Sequence, residues 1–216
     1  MKCRHCSESC IKKGKTKGYQ RYQCIVCKKY QQETYRYKSY LVNDFELINL
    51  LKEGIGIRGM GRLIQISNST VIHRILKIAH TLKRQTPIIL GQTYEVDELF
   101  TYVGNKDNRI CIAYSLNPQT GEVIDFIVGR RNKTNLMKIT STLLLADAKQ
   151  IITDKLNIYK ELIPKEIHST KHRGINHIER QNLTLRTHVK RLNRKTICYS
   201  KSGAMLYAVV KIYFWG

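Results

Sequence analysis

Four cysteines near the start of the chain place the tightest constraint on how it can fold. Two residues separate the cysteines within each pair, and seventeen residues separate the pairs. A two-residue gap lets a tight turn point both thiolates at one ion, and an intervening hairpin can bring the second pair round to complete a tetrahedron. The spacing therefore predicts a zinc ribbon over residues 1–36, with Zn²⁺ held by Cys3, Cys6, Cys24 and Cys27.

The predicted ribbon is too short to fold on apolar burial alone, so metal binding must supply most of its folding energy. Cys10 is surplus to the four ligands and is either a bystander or a substitute ligand. A zinc site that only stabilises the segment is one interpretation. The density of cations favours contact with phosphates instead: Lys12, Lys13, Lys15, Lys17, Arg21, Lys28 and Lys29.

The charge of the whole chain also favours a polyanionic partner. Its 216 residues carry 38 Lys and Arg against 16 Asp and Glu, a formal net charge of +22, and double-stranded DNA or another nucleic acid is the usual partner of such a chain. No run of 18 apolar residues exists, so no membrane span is expected. The first residues lack the apolar stretch of a signal peptide, so we expect a cytoplasmic protein with reduced cysteines.

Residues 40–84 show the pattern of a helix-turn-helix DNA-binding domain. A helix over 44–53 with Asp44 as N-cap is followed by a glycine-rich break, and a short helix is predicted over 57–65. A turn precedes the second helix of the motif, Ser69 to Leu82, the expected groove reader. Its candidate DNA contacts are Ser69, Thr70, His73, Arg74 and Lys77. A three-helix bundle used as a dimer contact is the alternative.

After a predicted linker over 83–93, residues 93–216 read as an α/β domain. Three strands separated by turn residues suit an antiparallel meander, and a helix, a strand, a weak αβ step and two helices follow. This order, a mixed sheet of three antiparallel strands and then αβα, predicts a ribonuclease-H-like catalytic domain. The predicted strands are 93–103, 109–116, 122–129, 150–153 and one near 167; the helices are 135–149, 159–162, 176–192 and 202–214.

Three acidic residues occupy positions that this fold would bring together. Asp97 lies inside an otherwise apolar strand, Asp154 follows the fourth strand, and Glu179 opens a long helix. Converging carboxylates repel one another unless a cation with oxygen preference, Mg²⁺ or Mn²⁺, lies between them. Two such ions can clamp a phosphodiester during in-line displacement. Glu98 points to the other face of its strand, and we expect it to have a structural or outer role.

The helix predicted over 176–192 carries Glu179, Asn182, Arg186 and Lys190 on one face. A carboxylate with cations further along suits a metal ligand beside substrate phosphates, and Arg180 and Lys190 are candidate DNA contacts. The alternatives are a surface helix with unrelated charges and, for Asp154, a simple cap at the end of its strand.

These residues carry a resemblance to a known family. Tyr94-Glu95-Val96-Asp97-Glu98-Leu99, Thr153-Asp154 and Ile178-Glu179-Arg180-Gln181-Asn182-Leu183-Thr184-Leu185-Arg186 are similar to the DDE transposases of the insertion-sequence-one family. The resemblance covers nearly the whole chain and implies a metal-binding triad of Asp97, Asp154 and Glu179, with Arg186 as the basic position on the same helix. In many relatives programmed frameshifting joins the two halves, whereas this chain is continuous.

The resemblance implies a transposase that binds the terminal inverted repeats of an insertion sequence and cuts and joins DNA with divalent metal. Because two DNA ends must be handled together, we expect at least a homodimer on DNA, associated with the bacterial nucleoid. Two alternatives stay open. A catalytically inactive zinc-ribbon and helix-turn-helix regulator would share the first eighty residues, and a metal-dependent nuclease would share the triad.

Overall fold

The fold is that of a computed structural model, which describes residues 1–33, 42–84, 88–170 and 175–216. Within this described part, the contacts group the chain into two compact units, Met1–Val42 and Asn43–Gly216. The ends of two predicted domains, residues 34–36 and 40–41, lie outside the described residues, as does Pro87 of the predicted linker. The predicted helix-turn-helix and α/β segments therefore belong to one compact unit.

The first unit contains an antiparallel sheet. In its described residues three strands occur in the order β1 (Cys10–Thr16), β2 (Tyr19–Cys24) and β3 (Tyr30–Gln32). Lys17 and Gly18 connect the first two strands with φ angles of 49° and 85°. Two successive positive φ angles define the tight hairpin turn that matches strand twist. The sequence predicted two short strands between the cysteine pairs, and β3 extends that hairpin into a sheet.

Three helices open the second unit: α1 (Asp44–Lys52), α2 (Ile57–Ile64) and α3 (Asn68–Thr81). Many of their apolar positions are buried, as the helical spacing predicted, but Phe45 of α1 is 65% exposed. The prediction of Asp44 as the α1 N-cap was wrong by one residue, because the Asn43 side chain accepts the hydrogen bond from the Phe45 amide and Asp44 is already helical. The buried side chains are Leu47, Leu51, Met60, Val71, Ile75 and Ile78.

The turn between α2 and α3 explains why α2 has a glycine at position 61. The backbone turns at Gln65, which has a left-handed φ of 59°, and the Ser67 hydroxyl caps α3 by accepting from the Thr70 amide at 3.1 Å. A Cβ on Gly61 would lie 2.8 Å from Asn68 Oδ1 and 3.0 Å from the Ile66 carbonyl oxygen. The tight approach of the two helices therefore disfavours a side chain at position 61.

The larger sheet has both antiparallel and parallel neighbours. Its described strands number five, in the order β6-β5-β4-β7-β8, with β4, β5 and β6 antiparallel and β7 and β8 parallel to β4. This mixed sheet fits the predicted ribonuclease-H-like domain. The strands are β4 (Thr93–Val103), β5 (Asn105–Leu116), β6 (Val123–Gly129), β7 (Gln150–Ile152) and β8 (His168–Ser169).

One predicted turn in this sheet was wrong. Residues 105–108 belong to β5, and the chain reverses at Gly104, which has a φ of 79°. A single glycine with positive φ makes a tighter connection than the predicted five-residue turn. As a result, β4 and β5 are long, and they pair from Glu95 opposite Leu116 to Val103 opposite Asn105.

Helices cover both faces of the sheet. On one face α4 (Lys133–Leu145) and α5 (Asn157–Leu162) pack over an apolar cluster that includes Val96, Ala113 and Tyr159. On the other face lie α6 (Asn176–His188) and α7 (Gly203–Trp215), where Phe214 contacts Tyr114. Side chains alternate across a strand, so Asp97 faces α6, whereas Glu98 faces α5.

The helix predicted over 176–192 is shorter than expected. It ends at His188, Val189 leaves helical geometry, and Lys190–Leu192 forms a separate 3₁₀ turn. Tertiary contacts favour this break: Val189 and Leu192 are both buried, and the Thr101 hydroxyl donates to the Arg191 carbonyl at 3.0 Å. Lys190 therefore does not lie on the same helical face as Glu179.

Candidate active site

The candidate site forms where β7 stops beside β4. Residues Thr93 to Glu95 of β4 pair with Gln150 to Ile152, and β7 ends opposite Glu95. Asp97 and Glu98 therefore lie on β4 just beyond the end of its neighbour, and Asp154 follows β7 by two residues. This part of β4 has no neighbouring strand on the β7 side, so side chains from either face of β4 can reach toward Asp154.

Three carboxylates meet at that edge. Oxygen atoms of Asp97, Glu98 and Asp154 all lie within 4.8 Å of one another, one of two groups in the described residues that could hold a metal ion. The sequence predicted the approach of Asp97 to Asp154. Glu98 lies on the opposite face of β4, as the alternation predicted, and its Oε1 accepts a 2.5 Å hydrogen bond from the Tyr159 hydroxyl. Glu98 can approach the other two acids only because β7 ends early beside β4, and no pattern in the sequence predicts where β7 ends.

Glu179 lies near this group but outside the three-acid contact. It is exposed in the first turn of α6. Its charge and that of Asp154 both raise the pKa of Asp97, a smaller effect than that of burial. The structure thus brings two of the three predicted acids into contact and places the third on the adjoining helix.

Burial destabilises the ionised form of these acidic side chains, and a bound cation would offset that effect. Burial, with a smaller contribution from the neighbouring carboxylates, raises the pKa of Asp97 to about 6 and that of Glu98 to about 7. Oxygen donors at this spacing match the preference of Mg²⁺ and Mn²⁺. The oxygens of Asp97, Glu98 and Asp154 therefore fit a divalent cation, whereas Glu179, the third predicted ligand, lies outside this group.

A chain of hydrogen bonds orients Asp97. Its Oδ2 accepts from Asn182 Nδ2 at 2.7 Å, and Asn182 Oδ1 in turn accepts from the Tyr114 hydroxyl at 3.0 Å. Asp154 is held separately, because its Oδ1 accepts from the Leu156 amide at 3.0 Å. Neither Tyr114 nor Tyr159 has a role that the sequence predicts, since a tyrosine in an apolar segment looks like an ordinary core residue.

The predicted basic residues near the triad have different surroundings. Arg186 donates to the Leu192 carbonyl oxygen at 2.8 Å, and burial, followed by the nearby Arg194, lowers the pKa of its guanidinium. Its observed hydrogen bond thus stabilises the turn after α6. Arg180 and Lys190 are exposed and available to a polyanion.

The four predicted zinc ligands form the second group that could hold a metal among the described residues. The Sγ atoms of Cys3 and Cys27 are 3.6 Å apart, and those of Cys6 and Cys24 are 3.4 Å apart. A hydrogen bond from the His5 amide, with others, lowers the pKa of the Cys3 thiol to about 6, whereas the hydrogen bond with Cys24 raises the pKa of the Cys6 thiol. Four sulfur ligands at this spacing fit tetrahedral Zn²⁺.

The predicted DNA contacts on α3 are mostly accessible. Ser69, His73 and Lys77 are exposed, and Thr70 is half-buried beside the Ser67 cap. Arg74 is engaged by α1, because its Nε donates to Asp44 Oδ1 at 2.9 Å.

The described helices include none with the length and apolar character needed to cross a bilayer. Comparison with known proteins identifies relatives of this chain. The chain is 36% identical over 108 residues to the insertion element iso-IS1n protein InsB of Shigella dysenteriae, and 32% identical over 108 residues to the insertion element IS1 protein InsB of Shigella sonnei. Each alignment covers 50% of this chain and 82% of the relative.

A solved structure and a family model were also matched. A chain in the cryo-EM structure of the simian T-cell lymphotropic virus intasome in complex with PP2A regulatory subunit B56 gamma is 12% identical, with 68% of this chain and 61% of that chain covered. Its TM-score of 0.39 is too low to support a conclusion. The family model described as IS1 transposase matches residues 90–214. The chain therefore belongs to the IS1 transposase family, whose members are enzymes that cut and transfer DNA.

Proposed function

We propose that this transposase binds the terminal inverted repeats of its insertion sequence and cuts and joins DNA by a DDE mechanism that depends on Mg²⁺ or Mn²⁺. The observation that carries the proposal is the meeting of the Asp97 and Asp154 carboxylates at the open edge of β4, with Glu179 on the adjoining helix. Ionised carboxylates this close repel one another, and a bound divalent cation would offset that repulsion.

The acidic residues would act by holding and orienting the reacting groups. Bound divalent metal would activate the attacking oxygen and stabilise the departing one in an in-line displacement. In the first step water attacks the phosphorus at the element end and the 3′ oxygen leaves as a hydroxyl. In the second step that hydroxyl attacks a target phosphodiester, forming the new bond and displacing the target's own 3′ oxygen. No covalent bond between protein and DNA forms.

The supporting residues keep the acids in place during both steps. Asn182 fixes the orientation of the Asp97 carboxylate, and Tyr159 holds Glu98 through its hydroxyl. Outer partners of this kind commonly change metal affinity or activity 10-fold to 100-fold, roughly, when they are removed. Arg186 would contribute by stabilising the end of α6.

DNA recognition would come from two modules. The first is a zinc ribbon built on β1–β3, with Zn²⁺ held by Cys3, Cys6, Cys24 and Cys27. The second is a helix-turn-helix in which α3 reads the groove, a role supported by its capped turn and its exposed polar face. The candidate contacts are Ser69, Thr70, His73, Arg74, Lys77, Arg180 and Lys190.

The proposal includes an assembly of at least two copies on DNA, because two element ends must be joined in one reaction. The bacterial nucleoid is the expected place of action. Ion release from many phosphates would make the affinity for DNA fall steeply with salt.

A donor-plus-target assay with the full chain and Mg²⁺ tests the proposal. Joined products are expected from the unaltered chain, cut products alone would indicate a nuclease, and bound DNA without chemistry would indicate a regulator. Asp97→Asn should abolish joining but preserve DNA binding. The matched control is Asp147→Asn, an exposed residue after α4, which should join normally. Retained joining by Asp97→Asn would remove Asp97 from the site.

A further inference from the structure

The third acidic residue of β4, Glu95, is almost completely buried. Its side chain is 2% exposed, and it lies two residues before Asp97 on the same face of β4. A buried carboxylate is costly unless several donors compensate it. Glu95 has such donors: Oε2 accepts from the Ile178 amide and Oε1 pairs with His177 Nδ1, both at 2.7 Å.

Both donors belong to the first turn of α6. The first amides of a helix have no partner within the helix, and the N-cap side chain usually accepts from the amide three residues later. In α6 the N-cap position is occupied by Ile175, whose hydrocarbon side chain cannot accept a hydrogen bond. The Ile178 amide is the one that a polar N-cap would bind, and Glu95 binds it instead from the neighbouring strand.

The charge of Glu95 adds to this capping. The N-terminal end of a helix carries a partial positive charge, which a carboxylate stabilises. Glu95 therefore ties the start of α6 to β4 by a hydrogen bond and by electrostatic attraction. The next residue after Ile178 is Glu179, so the connection ends one residue from the third proposed metal ligand.

We propose that Glu95 is a positioning residue, which caps α6 from β4 and thereby sets the distance of Glu179 from Asp97. The inference rests on the proposed function in so far as Glu179 binds the catalytic metal. Glu95 itself points at the helix and holds no reacting group. His177, whose side chain is 63% exposed, closes the outer side of the Glu95 carboxylate and makes the smaller contribution.

Glu95→Gln tests the role, because the carboxamide keeps the size of the side chain but loses its charge and one acceptor oxygen. We expect joining to slow by about 10-fold to 100-fold and the Mg²⁺ concentration for half-maximal rate to rise several-fold. DNA affinity should be unchanged. The matched control is Glu161→Gln, an exposed partner of Lys133, which should change none of these quantities.

A polar N-cap introduced in α6 itself tests whether the loss in Glu95→Gln comes from the missing cap. Ile175→Asp in the Glu95→Gln background places an acceptor at the N-cap of α6, and we expect it to recover most of the lost rate and to lower the Mg²⁺ requirement again. Loss of rate without rescue, or an unchanged Mg²⁺ requirement in Glu95→Gln, would overturn the positioning role. Should Glu95→Gln not fold, Glu95→Asp, which keeps the charge but withdraws it from Ile178, replaces it with the same expected shift.

Amide hydrogen exchange separates this inference from the proposed function. The Ile178 amide should exchange faster in Glu95→Gln than in the unaltered chain, and Ile175→Asp should slow it again. This measurement needs no catalysis. An unaltered chain that fails to join DNA would defeat the proposed function, whereas unchanged exchange at Ile178 would defeat the capping by Glu95.

Discussion

Asn182 Nδ2 donates to Asp97 Oδ2 at 2.7 Å and thereby joins the middle of α6 to the strand that carries the acidic cluster. The contact is partly buried and is extended by Tyr114, which donates to Asn182 Oδ1. Asp97 is therefore oriented by the same helix that presents Glu179.

Asn182→Ala should slow DNA joining by about 10-fold to 100-fold, because Asp97 loses one of two donors that orient it and favour its ionised form, the other being the Glu98 amide. The Mg²⁺ requirement should rise at the same time. Joining rates over a Mg²⁺ titration provide the measurement. Asn49→Ala, an exposed asparagine of α1, serves as the control. Equal rates in the two variants would show that Asp97 needs no help from Asn182.

The metal-free chain should lose stability as the pH rises from about 4 to about 7. The folded state raises the pKa of Asp97 to about 6 and that of Glu98 to about 7, so it binds more protons than the unfolded state in this window. Because both groups are partly accessible, we expect a loss of about 1–2 kcal/mol, less than the full shifts would imply. Urea unfolding at several pH values measures it.

Asp97→Asn should flatten that pH dependence, since the amide does not titrate, and it should be more stable than the unaltered chain near pH 7. Mg²⁺ should restore stability to the unaltered chain and have a smaller effect on the variant. If the free energy of unfolding varied with pH in the same way for both proteins, the raised pKa of Asp97 would not be the cause of the pH dependence.

Cys24→Ser should remove the zinc and unfold the sheet of the first unit, because Cys24 is completely buried and its Sγ lies in the four-sulfur group. Zinc content per chain and the amide spectrum of residues 1–33 provide the measurements. Cys10→Ser is the matched control, since Cys10 lies outside that group. A first unit that stays folded without bound zinc would contradict the proposed zinc ribbon.

Gly61→Ala should destabilise the second unit by about 1–2 kcal/mol, because the steric cost exceeds the gain in helix propensity. The new Cβ would approach the Ile66 carbonyl oxygen to 3.0 Å, where backbone must move. Gly203→Ala in α7, where a Cβ meets nothing within 4 Å, should not destabilise. Thermal unfolding of both variants measures the change in stability, and an unchanged Tm for Gly61→Ala would contradict the steric argument.

Lys77→Ala should weaken binding to the element ends and reduce the slope of log affinity against log salt by about one. Lys77 is exposed on α3, the proposed groove reader. Lys138→Ala, an exposed lysine of α4, is the comparison. Salt titrations with unchanged slope in Lys77→Ala would argue against a phosphate contact at that position.

Local chemistry explains the parts of the fold that could be predicted from sequence. Helical spacing identified α1 and α3, strand-favouring residues between turn residues identified β4 and β6, and the tandem cysteine pairs predicted the sulfur cluster. The ends of elements were less accurate, as at residues 105–108 and at Val189, because packing of distant residues decides where a helix or strand stops.

The sequence by itself determined that Asp97 lies inside the first strand of the α/β domain and that Asp154 follows the fourth, so that the two acids converge if those strands are neighbours. Only the tertiary structure decided that Glu98 joins them and that Glu95 caps α6. Both relationships connect residues about 60 to 80 positions apart. Their physical cause is the early end of β7 and the packing of α6 on β4, and neither leaves a periodic pattern in the chain.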